Sequence, residues 1–243
     1  LLLPAIKRQL MKTRREVLNV LDIGCGQGQL YPVVKEIGYD YFGLDISPDQ
    51  IRIARMNYPE IADQFEAGDA LEHTDLYKRM YDIVVVNMVF PVIDTIEKIE
   101  QLLQRCTIIL KEEGRLIVGV VEPCFDRYMQ HGVLGREGIE TEFRGYFASG
   151  DRFRFPQDTN NGVFYFTDYH WTLGDYFHAL RKAGFMIDEL DECKPPLNTE
   201  LPHGFYEARF QYPTYLVLGC EKQSKYIARK KIRDISKSFS ELF

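Results

Sequence analysis

Three glycines at alternate positions, Gly24, Gly26 and Gly28, follow a short apolar run near the start of the chain. Residues 17–23 predict a buried strand that ends in a tight turn at these glycines. Residues 29–37 then place apolar side chains on one face at helical spacing. A strand, a glycine turn and a helix in this order leave backbone N–H groups at a helix N-terminus, facing the space above the turn. The sequence therefore predicts a ligand site at this turn.

Strands and helices alternate along most of the chain. Apolar and β-branched runs predict further strands at residues 41–45, 63–67, 82–87, 115–121, 185–190 and 214–220. Apolar side chains at helical spacing predict helices within residues 1–16, 48–58, 96–113 and 172–183, with Gly114 closing the third of them. Alternation of this kind predicts a parallel sheet that helices cover on both faces.

Length and charge limit what the chain can be. The 243 residues, 45% of them hydrophobic, suffice for one sizeable α/β core, so we expect a single domain over residues 1–243. No apolar run approaches the roughly 20 residues of a membrane span, which predicts a soluble protein with no membrane partner. The net charge of −6 argues against nucleic acid as a partner. The basic tail, residues 222–243, is expected to be a solvated helix.

Cysteine and histidine usage bears on metals and on the cellular compartment. The five cysteines are scattered without a Cys-x-x-Cys pair, and the histidines lack the spacing of metal ligands. Neither a disulfide framework nor a metal site is indicated, so we expect a reducing, cytoplasmic setting and no metal. The sequence leaves open whether the protein is a monomer or a homodimer.

Two ligands compete for the glycine turn. A dinucleotide-binding turn needs a third glycine at position 29, which is Gln29 here, and Asp22 just before the turn would repel its pyrophosphate. An acid at that position suits a ligand with ammonium and sulfonium cations, while the helix N-terminus can still take a carboxylate. These are the charged groups of S-adenosylmethionine, so the sequence favours that cofactor.

The first half of the sequence resembles the class I S-adenosylmethionine-dependent methyltransferases in four places. Residues 20–28 look like the first motif of that family, Asp45 matches its ribose-binding acid, residues 68–70 match its adenine loop, and residues 82–89 match the strand and loop that face the methyl donor. The resemblance implies an α/β fold: a Rossmann-like doubly wound sheet of seven strands, mostly parallel, with its last strand, residues 214–220, inserted antiparallel.

The same resemblance implies S-adenosyl-L-methionine as the cofactor, S-adenosyl-L-homocysteine as its product, and no metal. The residues that it implies as cofactor contacts are Asp22, Gly24, Cys25, Gly26, Gly28, Asp45, Ile46, Asp69, Ala70, Asn87 and Met88.

Residues 122–170 interrupt the alternation after the fifth strand and show neither a helical nor a strand period. Ten aromatic side chains lie between positions 143 and 171, a density far above the 13% of the whole chain. We expect this aromatic insertion to cover a substrate; a hydrophobic mini-core under a long loop is the alternative. Its two ends are similar to a subgroup of small-molecule methyltransferases, with Glu122 where that subgroup often has histidine.

Glu122 and His170 border the insertion and are the candidate catalytic residues. Either could take a proton from the acceptor, but a base is needed only where the acceptor atom keeps a proton at neutral pH. Holding the acceptor against the methyl group in a dry pocket supplies most of the acceleration. Glu122 could equally cap a loop, and His170 could be a structural histidine. Both interpretations stay open.

These features together predict the transfer of a methyl group from S-adenosylmethionine to a small, aromatic or hydrophobic metabolite by in-line displacement. Oxygen, nitrogen and carbon remain possible as the methylated atom, and secondary metabolism is the expected setting. An RNA or protein methyltransferase that uses the basic tail is one alternative. A non-catalytic scaffold that binds the cofactor and stabilises a partner enzyme is another.

Overall fold

The computed structural model of the protein describes residues 1–12, 18–73, 79–124, 140–141, 144–159, 162–195 and 210–224. The strands in these residues are, in chain order, β1 (Asn19–Ile23), β2 (Asp40–Asp45), β3 (Phe65–Ala67), β4 (Tyr81–Asn87), β5 (Leu110–Val121), β6 (Glu140–Thr141), β7 (Arg152–Thr159), β8 (Gly162–Tyr169), β9 (Phe185–Cys193) and β10 (Tyr215–Lys222). The α-helices are α1 (Leu2–Leu10), α2 (Tyr31–Ile37), α3 (Pro48–Asn57), α4 (Ile96–Ile109) and α5 (Leu173–Lys182).

Seven strands form the central sheet in the order β3-β2-β1-β4-β5-β10-β9. Neighbouring strands are parallel from β3 to β5, and β10 runs antiparallel to both β5 and β9. This confirms the predicted seven-stranded, mostly parallel sheet with its last strand inserted antiparallel. Because β1 lies between β2 and β4, the strand order reverses there, and ligands of such sheets bind at the carboxyl ends of the strands beside this point.

Helices cover both faces of the sheet and bury a separate core on each. In β4, Val84 and Val86 join the core under α4 and α5, whereas Ile83 and Val85 join the core under α1, α2 and α3. A strand that is buried on both faces needs an apolar side chain at every position. The continuous β-branched run of β4 follows from this requirement.

The boundary between α4 and β5 differs from the prediction. Gly114 does not close the helix, because α4 ends at Ile109 and β5 begins at Leu110. A Cβ atom on Gly114 would lie 2.9 Å from the carbonyl oxygen of Asp82 and 2.7 Å from Cγ of Leu110. The glycine therefore permits close packing inside a strand, one of the ordinary reasons for glycine there.

The prediction that residues 122–168 lack regular structure is also wrong in part. β7 and β8 form an antiparallel hairpin, which together with β6 makes a second, three-stranded sheet. Side chains at positions 162–166 are exposed on both faces of β8, so the strand lacks the apolar–polar alternation of a half-buried strand. The dipeptide Asn161-Gly162 between the two runs is a strong hairpin signal that does not depend on such alternation.

The first helix is shorter than predicted, and most of the predicted C-terminal helix lies outside the described residues. α1 covers only Leu2–Leu10 of the predicted first helix and packs on β5, β9 and β10. At the other end Lys222 is the last residue of β10, and residues 225–243 of the predicted helical tail lie outside the described residues. Within the described part of the chain, no helix is long and apolar enough to cross a membrane.

Candidate active site

The glycine turn is tied to β2 by main-chain hydrogen bonds. The N–H groups of Gly24 and Cys25 both donate to the carbonyl oxygen of Leu44, over 2.7 and 3.1 Å, and the N–H of Gly28 donates to the carbonyl of Cys25 over 3.0 Å. Since these bonds need no particular side chain, the path of the turn depends on backbone conformation alone.

The three glycines of the turn serve different purposes, although all have positive φ. A Cβ on Gly24 would lie 2.3 Å from Cγ2 of Val89, and a Cβ on Gly28 would lie 2.9 Å from the rings of Tyr58 and Phe65. A Cβ on Gly26 would meet only the ends of two flexible side chains, Gln29 at 3.2 Å and Gln50 at 4.0 Å. Gly24 and Gly28 are thus needed for packing, whereas Gly26 keeps the backbone open towards a ligand.

Asp45 joins the glycine turn to the two neighbouring loops. Its carboxylate accepts hydrogen bonds from the N–H of Gly26 (2.8 Å) and of Ser47 (2.9 Å), and its carbonyl accepts from the N–H of Gly68 (2.9 Å). Ile46, the next residue, is 70% exposed although it is apolar. The end of β2 therefore presents an anchored carboxylate beside an uncovered apolar surface, which suits a ribose and the base attached to it.

The loop after β3 is held by Asp69 and by a histidine that sequence reasoning set aside. The Asp69 carboxylate accepts from the N–H of Leu71 over 2.8 Å, and its carbonyl accepts from the N–H of His73 over 2.8 Å. Nε2 of His73 lies 3.0 Å from Oε1 of Glu66, and its ring leaves no space for a Cβ on Gly68, which would be 2.2 Å away. His73 thus supports the predicted adenine loop; histidine spacing alone gave no signal of this role.

Asp22 lies beneath the glycine turn rather than on its surface. It is 3% exposed, and the hydroxyl of Tyr41 donates to its Oδ2 over 2.8 Å. Burial raises the pKa of Asp22 to about 7; the hydrogen bond from Tyr41 opposes this rise and the charge of Asp45 adds to it. A cation above the turn would favour the charged form of Asp22, so this carboxyl group is sensitive to a cationic ligand.

The Cys25 side chain points into the core instead of towards the space above the turn. It is buried among the residues under α1, α2 and α3. Burial and then the nearby charges of Asp22 and Asp45 raise the pKa of its thiol well above the ordinary value. Cys25 therefore packs as a neutral thiol, and only its backbone belongs to the turn.

The end of β4 brings Asn87 and Met88 to the same edge of the sheet. Met88 has φ 59°, a conformation that non-glycine residues rarely adopt, and its N–H donates to the carbonyl of Gly119 over 2.7 Å. Oδ1 of Asn87 is buried and has no hydrogen-bond partner among the described residues. A buried acceptor without a donor is costly unless a ligand supplies one. Asn87 is therefore suited to receive a donor from the ligand.

Glu122 follows β5 at this same edge, one strand further from the glycine turn. Gly119 pairs with Asn87 across the two parallel strands, so Glu122 comes three residues beyond the end of β4. Its side chain is buried, and its N–H donates to the carbonyl of Thr214 over 2.8 Å, just before β10. The structure thus places this candidate base next to the loop that contains Met88.

His170 lies between β8 and α5 and fastens the segment before the hairpin. Its Nε2 is 2.7 Å from the carbonyl oxygen of Tyr146, its N–H donates to the carbonyl of Asp151, and its own carbonyl accepts from the N–H of Gly150. The side chain is buried, with 2% exposed. Because a carbonyl oxygen only accepts, Nε2 carries a proton, and Nδ1 is the ring nitrogen that could take one.

Tyr146 contacts the candidate base His170, and no sequence motif pointed to it. Its carbonyl contacts His170, and its hydroxyl accepts from the N–H of Leu173 over 3.0 Å. Burial first, and then the charge of Glu122, raises the pKa of the Cys124 thiol, whereas the hydroxyl of Tyr146 lowers it. In the sequence Tyr146 is one of ten aromatic residues, and nothing distinguishes it from the others.

A cavity of about 600 Å³ opens beside Tyr146 and is lined by residues 144–149. Phe147, in this lining, is 91% exposed. One wall is fixed by the guanidinium of Arg144, which donates to Oδ1 of Asp151 over 2.6 and 3.1 Å. The volume lies within the range of about 300–1,000 Å³ that is usual for small-molecule sites.

Comparison with known families agrees with this geometry. Residues 21–118 match the model described as "Methyltransferase domain", which covers β1 to β5 and hence the whole glycine-turn edge. Residues 21–118 are thus similar to a methyltransferase domain. The matched residues include every predicted cofactor contact, whereas Glu122, Tyr146 and His170 lie beyond them.

Three curated relatives illustrate the range of acceptors within this similarity. The ubiquinone biosynthesis O-methyltransferase of Pectobacterium atrosepticum is 22% identical over 64% of this chain and 66% of its own length. The ribosomal protein L11 methyltransferase of Dictyoglomus turgidum is 33% identical over 48% of this chain and 38% of its own. The N-demethylindolmycin N-methyltransferase of Streptomyces griseus is 27% identical over 82% of this chain and 84% of its own. The chain thus spans less than two thirds of the length of the first two relatives.

Solved structures share the fold of the domain over nearly the whole chain. An S-adenosylmethionine-dependent methyltransferase from Clostridium acetobutylicum superposes with a TM-score of 0.63 at 14% identity, covering 90% of this chain and 89% of its own. The magnesium protoporphyrin IX methyltransferase from Synechocystis, solved with S-adenosylhomocysteine, gives 0.58 at 17% identity over 91% and 81%. The family match and the curated relatives are to methyltransferases, and the solved structures show that this chain shares their fold.

The residues of the methyltransferase domain fit this cofactor. Gly26 leaves the backbone open above the turn. The carboxylate of Asp45, held by the N–H of Gly26, lies where a ribose would bind, and Ile46 offers an apolar surface for the base. Asn87 holds a buried acceptor without a partner among the described residues, as an ammonium donor would require. In the same residues, no cluster of three or more His, Cys, Asp or Glu side chains is suited to a metal ion.

Proposed function

We propose that the methyltransferase domain transfers a methyl group from S-adenosylmethionine to a small, aromatic or hydrophobic acceptor. The observation that carries this proposal is the cavity beside Tyr146, whose lining includes the residue that contacts His170 through its carbonyl oxygen. The similarity to the N-demethylindolmycin N-methyltransferase supports it, because that match extends over 82% of the chain and so beyond the cofactor half.

In this proposal the cofactor lies along the carboxyl edge of β1, β2 and β4. Asp45 would hold the ribose, Ile46 and the loop at Asp69 and Ala70 would hold the adenine, and Gly26 would allow the backbone to approach. The further contacts are Asp22 and Asn87 at the ammonium group, with the backbone of Gly24, Cys25, Gly28 and Met88 shaping the site. S-adenosylmethionine supplies the methyl group as an electrophile on a positively charged sulfur.

Residues that follow β5 would hold the acceptor and take its proton. The cavity wall at residues 144–149 would orient an apolar or planar acceptor and exclude water from the reacting atoms. Glu122, next to the loop of Met88, or Nδ1 of His170 would take the proton from an acceptor oxygen or nitrogen. Carbon remains a third possible methylated atom.

The same proposal includes the cellular compartment, the domain organisation and the oligomeric state of the enzyme. A chain of net charge −6 without a cysteine framework fits a cytoplasmic enzyme of secondary metabolism, acting as a single domain over residues 1–243 and either monomeric or homodimeric. The insertion at residues 122–170 would form its substrate cover.

A protein methyltransferase is the second candidate, because the chain is 33% identical to a ribosomal protein L11 methyltransferase over 121 residues. That match spans only 48% of this chain, less than the small-molecule N-methyltransferase match. The measured acceptor separates the two candidates.

The test uses the purified chain with S-adenosylmethionine labelled in the methyl group. S-adenosylhomocysteine binding is first measured by calorimetry, and the labelled cofactor is then offered with phenols, indoles and arylamines, and separately with ribosomal protein and tRNA. We expect label in the extractable small-molecule fraction. Label in protein alone would favour the second candidate, and label in RNA alone would favour an RNA methyltransferase. Cofactor binding without any transfer would favour a scaffold, and absence of binding would refute the cofactor assignment.

A further inference from the structure

The buried carboxyl group of Asp22 has a hydrogen-bond donor on the neighbouring strand. The hydroxyl of Tyr41 in β2 donates to its Oδ2 over 2.8 Å. The residues directly opposite Asp22 are Gly43 on β2 and Val85 on β4, and neither has a polar side chain. Among the described residues, Tyr41 is therefore the side chain that orients this carboxyl group.

The Tyr41 hydroxyl is held in position by packing around its ring. The ring is buried, and its centroid lies 5.5 Å from that of Tyr31 and 5.6 Å from that of Phe65. Phe65 packs over Gly43, where a Cβ atom would lie 2.8 Å from its ring. Because a tyrosine oxygen lies on the axis of ring rotation, a ring fixed in this way keeps its hydroxyl next to Asp22.

The other groups around Asp22 do not supply a positive charge. From β2, Asp45 adds a negative charge, and from the glycine turn Cys25 packs as a neutral thiol. From α2, the hydroxyl of Tyr31 donates to Glu60 over 3.2 Å. Within the described part of the chain, no lysine or arginine pairs with Asp22. Since buried charges need a partner, a cation beside this carboxylate would come from a ligand.

A tyrosine hydroxyl can keep its contact with Asp22 in both protonation states, because it donates to a carboxylate and accepts from a carboxylic acid. Burial raises the pKa of Tyr41 well above its ordinary value, so the hydroxyl stays protonated near neutral pH. The pKa of Asp22 is about 7, since burial raises it more than the hydrogen bond from Tyr41 lowers it. That hydrogen bond therefore favours the charged form of Asp22 near neutral pH.

We infer that Tyr41 is a positioning residue of the cofactor site, which holds the Asp22 carboxylate beneath the glycine turn for the ammonium group of the cofactor. This inference rests on the proposed function and deepens it, because it assigns the recognition of the cationic amino-acid end to a pair of residues. When the cofactor binds near neutral pH, its ammonium group favours the carboxylate, and the proton that Asp22 carried passes to solvent. Binding is thus coupled to proton release.

The coupling is measured on the wild type, without an acceptor, by calorimetry at pH 7 in phosphate and in Tris. The two buffers differ in their enthalpy of protonation, so the difference in heat counts the protons released. S-adenosylhomocysteine should release about half a proton, because Asp22 is about half protonated at this pH. 5′-Methylthioadenosine has the same nucleoside and a thioether but no amino-acid end, and it should release none.

The role of Tyr41 is tested with Tyr41→Phe, which keeps the ring and removes the donor. Asp22 should then stay neutral to higher pH, so the affinity for S-adenosylhomocysteine should fall by about three- to tenfold at pH 7 and approach the wild type at pH 8.5. The affinity for 5′-methylthioadenosine should not change. Tyr31→Phe, the matched control on the neighbouring ring, should leave the affinities for both ligands unchanged at either pH.

A second replacement tests the same hydrogen bond in the opposite direction and does not depend on the folding of Tyr41→Phe. 3-Fluorotyrosine placed at position 41 has a more acidic hydroxyl and is a stronger donor. The pH below which the affinity for S-adenosylhomocysteine declines should therefore be lower than in the wild type.

The outcomes separate this inference from the proposed function. If S-adenosylhomocysteine did not bind at all, both would fail. Binding without proton release, or equal release with 5′-methylthioadenosine, would overturn the inference and leave the proposed methyl transfer standing. A wild-type pH dependence of affinity with either replacement of Tyr41 would show that this residue only fills space under the turn.

Discussion

The glycine turn and the aromatic insertion are held in place by different kinds of contact. In the turn, main-chain N–H groups bond to the carbonyl of Leu44 and to the carboxylate of Asp45, all within about 20 residues of one another. At the insertion, the contacts join residues that are far apart in the chain: Tyr146 with His170, and Glu122 with Thr214. The cofactor site that we propose thus rests on a short local motif, whereas the proposed acceptor site depends on contacts between distant parts of the chain.

The largest effect is expected from Gly26→Val, which tests the turn. The residue has φ 53°, and a branched side chain there would both strain the backbone and occupy the space that a ligand needs. We expect the affinity for S-adenosylhomocysteine, measured by calorimetry, to fall by at least about 100-fold, which corresponds to about 2.8 kcal/mol.

The matched control for this change is Gly38→Val at the end of α2. Gly38 has φ 84°, and no atom lies within 4 Å of its Cβ position, so the substitution imposes backbone strain without reaching the turn. Its cofactor affinity should equal that of the wild type. If both variants bound equally well, the ligand would not lie over Gly26.

The next effect tests the acceptor side through Glu122→Gln and His170→Ala. Loss of a general base should lower kcat by about 10²- to 10⁴-fold and remove the fall in rate at low pH, while cofactor affinity stays unchanged. The steady-state rate is measured across pH for both variants. Because His170 contacts the carbonyl of Tyr146, its replacement should also lower the melting temperature, which Glu122→Gln should affect less.

An unchanged pH profile in one variant would leave the other residue as the base. If neither variant altered the profile, both residues would be structural, and the acceptor site would act by positioning alone. The two regions would then differ only in the contacts that hold them, and the aromatic insertion would supply no catalytic base.

The two regions differ in how much of their structure could be predicted from the sequence. The order of strands and helices and the residues of the glycine turn were predictable, because each depends on local periodicity or on a short motif. The antiparallel direction of the last strand followed only from the resemblance to a known family, since periodicity does not show strand direction. Tyr146 was not predictable, since its partners, His170 and Leu173, lie 24 and 27 residues further along the chain. The β7–β8 hairpin was missed because most side chains of β8 are exposed on both faces, which removes the alternation that identifies a strand.

A smaller effect is expected at Asp22, and it tests whether this carboxyl group contributes a negative charge beneath the glycine turn. Burial raises its folded pKa to about 7, above its unfolded value of about 3.9, so the folded state binds the proton more tightly. Its contribution to stability is therefore present below pH 4 and is lost as pH rises to about 7, by at most about 4 kcal/mol. We expect Asp22→Asn to be less sensitive to pH over this window, as measured by urea unfolding at several pH values.

The pH dependence of cofactor affinity should show the effect of Asp22 with the opposite sign, because the charged form favours binding. At pH 8, where Asp22 is charged, Asp22→Asn should bind S-adenosylhomocysteine more weakly than the wild type, and the difference should shrink at pH 5.5. Parallel stability curves for the two proteins would show that Asp22 titrates normally. In that case the charge of Asp22 would not affect ligand binding at the turn.

The smallest effect is expected at Met88, between the two regions. Its positive φ of 59° costs about 1 kcal/mol in a residue with a side chain, and glycine would relieve it while adding entropy to the unfolded chain. Met88→Gly should therefore change the free energy of unfolding by less than about 1 kcal/mol. If the strain serves to place the Met88 side chain beside the reacting methyl group, kcat/KM should fall although stability does not. A variant with full activity would show instead that only the backbone path of this loop matters, and the boundary between the locally encoded turn and the context-dependent acceptor site would then lie after Met88.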